Sequence, residues 1–119
     1  MTDDEACDFL ANADANLKKK DLSFAKVNDI YEKYMQFEDF IRPVDDKKFN
    51  NKVCDRIKDY ETIVQYITNG NVENIQNVLK DYDNSNFHIW PQHAEQIRKI
   101  LKDDSAIERF RNNFSNITI

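Results

Sequence analysis

At 119 residues, 40% of them apolar and eight of them phenylalanine, the chain can build one domain with its own core and does not have the composition of a disordered segment. Its formal charge of -5 is shared between the two halves, so the overall field repels a nucleic-acid backbone and any such contact needs a local basic patch. One glycine and two prolines leave little for phosphate-cradling loops or many hairpins, and point to helices joined by polar connectors.

The sequence predicts an all-α fold, a single compact bundle of five or six helices. The first runs from about Asp3 to Lys19. Thr2 and Glu5 form a capping-box pattern, the acidic Asp3, Asp4 and Glu5 suit the positive end of the helix, and Lys18, Lys19 and Lys20 close the negative end. Ala6, Phe9, Leu10, Ala13 and Leu17 share one face. The start MTDDEACDFL is acidic and lacks the basic residues and apolar run of a secretory signal.

The second predicted helix, Phe24 to Ile41, has the widest apolar face. Phe24, Val27, Ile30, Tyr31, Tyr34, Met35, Phe37 and Ile41 project within about 160° of one another, enough to touch two neighbours. Ser23 is placed to cap it, and Leu22 and Val27 to staple it. Pro43 sets its stop near Arg42. Glu38 is the one charge in the apolar face; it reaches solvent near the helix end, or it is semi-buried and held by a tyrosine or an arginine.

The third predicted helix runs from about Asp46 to Thr68, capped by Asp45 or Asp46. Phe49, Val53, Ile57, Tyr60, Ile63, Val64 and Ile67 keep the helical period, and Asn69-Gly70 ends it. Helices two and three are the expected antiparallel core. Asn71 caps a fourth helix to about Tyr82. Residues 83–90 form a loop ending in Phe87-His-Ile-Trp90, and Pro91 starts a fifth helix to about Lys102. A sixth is expected over 104–115, carrying Ile107, Phe110 and Phe114.

Catalytic and metal chemistry find little foothold. No nucleotide loop, zincin or EF-hand spacing is present, and a cysteine nucleophile would need Cys7 or Cys54 beside a distant histidine. Two isolated cysteines make no disulfide framework. His88 and His93 straddle Pro91 and do not share a helical face. The reading is a non-enzymatic protein without cofactor or metal. With no apolar run approaching the ~20 residues of a membrane span, no membrane partner is expected, and the setting is intracellular, cytoplasm or nucleus.

Recognition by aromatics is the leading functional expectation: a protein-interaction module or small regulator, capable of self-association, binding through a patch around Trp90. Phe87 lies beside Trp90, while Phe40 and Tyr66 point away from their helices' main stripes and are further candidates. The first alternative is a nucleic-acid-associated protein using the basic strip Arg98, Lys102, Arg109 and Arg111. The second is an acidic inhibitor of a nucleic-acid-binding protein, which requires Asp3, Asp4, Asp8, Asp45, Asp46 and Asp55 to form an ordered sheet of charge. Abundant Asn, Lys and Ile suggest an AT-rich coding sequence, as in some viruses, protists and bacteria, which keeps a virus-encoded host-interaction protein in view.

Overall fold

Thr2 begins the first helix as its spacing predicts. Its hydroxyl accepts the Glu5 N–H at 3.2 Å and the Glu5 carboxylate accepts the Thr2 N–H at 3.4 Å, so two otherwise orphaned donors are satisfied. The computed structural model describes residues 1–102. Its helices are α1 (Asp3–Leu17), α2 (Phe24–Gln36), α3 (Glu38–Phe49), α4 (Lys52–Thr68), α5 (Val72–Asp83) and α6 (Pro91–Leu101). Together they form a compact all-α domain with no sheet among the described residues. The predicted helix over 104–115, with Arg109 and Arg111, lies outside those residues.

The helix expected over 24–41 is two helices. The chain bends at Phe37 (φ -122°, ψ 26°), whose N–H closes α2 on the Lys33 and Tyr34 carbonyls. The Phe37 carbonyl then opens α3 by accepting from Phe40 and Ile41. Pro43 lies inside α3 rather than beyond a helix end. A proline removes one hydrogen bond and crowds the carbonyl four residues earlier, here that of Asp39, yet α3 runs on through it to Phe49, and the bend falls upstream at Phe37.

A second break divides the expected helix 46–68. Asn50 and Asn51 both take left-handed backbone (φ 54° and 63°), a conformation asparagine tolerates better than most residues. Asp45 bridges the break. Fully buried, it sends its carboxylate from α3 to the Cys54 N–H at 2.9 Å and caps α4 from outside. The sequence expects Asp45 or Asp46 to cap the start of a helix over 46–68; Asp45 instead lies within α3 and caps α4.

α4 is the hub. Val53, Ile57, Tyr60, Ile63, Val64 and Ile67 are all buried, and α1, α2, α3 and α5 pack against it. Each such aliphatic side chain contributes roughly 1.5–3 kcal/mol by leaving water. α1 also lies along α3, burying Ala6, Leu10, Ala13 and Leu17. α5 and α6 pack together at one side, with Ile75, Val78, Leu79, Ala94 and Ile97 inward. Among the described residues no helix is long and apolar enough to cross a membrane.

Candidate functional site

The segment around Trp90 is built as packing. Its neighbours Phe87 and Ile89 are only 8% and 6% exposed and belong to the core. Trp90 itself is half-buried and covered by the protein's own cations: the Arg56 guanidinium lies 4.2 Å from its ring centroid and the Lys18 ammonium 5.0 Å. Arg56 is held in turn by Asp14 at 2.9 Å. These contacts occupy the surface on which a partner would stack. Among the described residues there is no aromatic cluster at Trp90, and the binding patch expected there does not exist.

Adjacent α4 residues pin this loop. The Asp59 carboxylate accepts the His88 N–H at 2.8 Å and lies 2.9 Å from His88 Nδ1. The Tyr60 hydroxyl accepts the Trp90 N–H at 3.0 Å and bonds His93 Nδ1. His93 Nε2 reaches the Lys19 carbonyl at 2.8 Å, and the Gln92 amide donates to the Lys18 carbonyl at 2.9 Å. A carbonyl only accepts, so His93 carries its proton on Nε2, and Tyr60 donates to the bare Nδ1. Burial pushes the His93 pKa below the usual histidine value, against the Lys19 bond, which favours the charged form. The sequence expects the first helix to reach about Lys19, closed by the charges of Lys18, Lys19 and Lys20. Instead α1 ends at Leu17, and side chains of α6 satisfy the carbonyls beyond it.

Trp90, Phe40 and Tyr66 line three different hollows. Phe40 lies at the α2–α3 corner, 55% exposed, with Met35 at 47%, and Gln36, Phe37, Glu38 and Asp39 complete a shallow hollow of about 280 Å³. Met35 lies in the last turn of α2, just before the bend, and is exposed there. Glu38 is partly buried and holds Arg42 at 3.2 Å, as the paired reading expected. Tyr66 is half-buried and shares with Tyr31 a recess between α2 and α4 of about 430 Å³.

Among the described residues the acidic sheet is not assembled, and of the basic strip only Arg98 and Lys102 are described. Arg98 is paired with Asp83 across α5 and α6, which leaves Lys102 exposed at the end of the helix, and Arg109 lies outside the described residues. Of the six aspartates required for an acidic sheet, Asp45 is buried as a cap, Asp46 accepts from Asn51 at 3.1 Å, and the rest are divided between α1 and α4. Cys54 lies beside Asp45 and Tyr34 rather than a histidine, and burial, with the Asp45 hydrogen bond behind it, pushes its thiol up to about 12. Among the described residues no three His, Cys, Asp or Glu side chains are placed to hold a metal.

Compared with protein-family models, with curated proteins and with solved structures, the chain matches none. The geometry alone carries the functional reading. The helical period puts Met35 on the apolar face, where the structure leaves it exposed; Phe40 is exposed, as its outward position predicts.

Proposed function

We propose that the protein is a non-enzymatic, intracellular protein-interaction domain that engages its partner along the outer side of α2 and the α2–α3 corner. One observation carries the reading: Met35 and Phe40, two of the large apolar side chains left most exposed, lie around one hollow. Scattered exposed apolar residues are ordinary, but two large ones together at a helix corner, rimmed by Glu38 and Asp39, suit an anchor for another protein. The free thiols of Cys7 and Cys54 fit a reducing compartment. Trp90 has no part in this surface.

Site-specific photo-cross-linking tests the proposal. A photoreactive residue placed at Met35 or Phe40 is expected to capture a defined protein in cells. One placed at Val72, an exposed apolar position on α5, is not. Equal capture from all three positions would reduce the corner to ordinary surface.

A further inference from the structure

The recess between α2 and α4 is lined by Tyr31 from α2 and by Lys58, Glu61, Thr62, Gln65 and Tyr66 from α4. Both tyrosines pack partly against the core, so their rings form fixed walls. Glu61 is half-buried between them in sequence, and its partners are neutral. The Gln65 amide donates to it at 2.9 Å, and Asn28, with its amide nitrogen turned toward the carboxylate, donates at 2.8 and 3.1 Å. Among the described residues Glu61 has no ion pair. Among the described residues Lys58 is the one cation lining the recess, and its ammonium lies over the Tyr34 ring, 5.9 Å from the centroid. Burial, and behind it the charge of Glu32, raise the Glu61 carboxyl above the usual carboxylate range, against the pull of the Gln65 bond.

A carboxylate held by amides beside two aromatic walls lacks one component, a cation that is both planar and hydrogen-bonding. A guanidinium meets both needs, because it stacks on tyrosine faces and forks onto a carboxylate. We infer that the recess receives an arginine side chain of the partner protein, its guanidinium against Tyr31 and Tyr66 and paired with Glu61. This rests on the interaction reading above and narrows the partner's chemistry. Tyr31 and Met35 are one turn apart on α2, about 6 Å along the helix, so a single short segment carrying an arginine near an apolar residue would reach both recess and corner.

The test is an amide-shift NMR titration of the full chain with capped glycyl-arginyl-glycine, beside its citrulline counterpart, which has the same shape without the charge. Arginine is expected to move resonances within residues 28–35 and 58–66. Citrulline should bind at least about tenfold more weakly, a difference of 1.4 kcal/mol. Glu61→Gln should show the same loss with its remaining spectrum unchanged, Tyr66→Phe should retain binding and Tyr66→Leu should weaken it. Lys58→Gln should tighten it by removing the like charge. Equal response to citrulline, shifts scattered over other surfaces, or no shift at millimolar peptide would each overturn the assignment. If any of these occurs while Phe40 still cross-links a partner, the arginine site alone is lost; if the cross-link fails as well, the interaction surface falls with it.

Discussion

The Tyr60 hydroxyl joins two elements that sequence separates, accepting the Trp90 N–H and donating to His93 Nδ1. Both of its hydrogen-bonding roles are used, and both partners are buried or partly so. Tyr60→Phe keeps the ring and strands both groups. Each unsatisfied buried group costs about 1–3 kcal/mol, so a total loss of about 2–4 kcal/mol is expected in denaturant unfolding. Tyr66→Phe, on the surface of the same helix, should stay within about 0.5 kcal/mol of wild type.

His93 makes the same network sensitive to acid. Its folded pKa is depressed by burial, so between that value and about 6.5 the unfolded chain binds a proton that the folded chain refuses. The stability it contributes is therefore complete above about pH 6.5 and falls away as pH drops through the folded value. A proton on Nδ1 would also face Tyr60 with a second donor. Unfolding midpoints are expected to fall more steeply from about pH 7.5 to about pH 5 in wild type than in His93→Gln, which keeps one donor and one acceptor without titrating. Parallel pH curves would remove His93 from the account.

Asp45 offers a test of capping across a break. Asp45→Ala frees the Cys54 N–H and is expected to cost about 1–2 kcal/mol, whereas Asp45→Asn retains an acceptor and should cost less. Asp46→Ala, next to it but exposed, should change stability little. Thermal unfolding of the three variants distinguishes a specific cap from general acidity at this position.

Trp90→Ala should now register in folding. The Arg56 guanidinium and the Lys18 ammonium lie over the ring, which packs partly on the core. Full truncation of a buried tryptophan costs about 3–5 kcal/mol; for this half-buried ring about 2–3 kcal/mol is expected in chemical denaturation. An unchanged midpoint would return Trp90 to the list of surface residues.

Local signals were legible wherever the chain near a helix end satisfies itself. The Thr2–Glu5 box, Ser23 on α2, Asn71 on α5 and Pro91 at the start of α6 all stand where spacing placed them. The two internal breaks were not. Phe37 and the Asn50–Asn51 pair interrupt runs whose apolar period continues, and the period reports which side faces the core, not whether the axis bends. Met35 falls on the apolar side of α2 by period and is nonetheless exposed, because periodicity gives the side a residue faces and not whether a neighbour covers it. Tyr60, His93 and Asp59 were invisible as a network because their partners lie some thirty residues away, and no local pattern encodes such pairings.

The packing of α1 has a consequence for how the protein is made. Its apolar stripe is covered by α3 and α4, and all of α2 lies between them in the chain. Synthesis proceeds from the N-terminus, and an isolated helix of this length is marginal in water even with a good cap. On the ribosome the stripe of α1, with Leu10 and Leu17, therefore lacks its full cover until α3 and then α4 have cleared the exit tunnel. The exposure of α1 to chaperones and proteases is set by the time taken to translate the helices that will cover it.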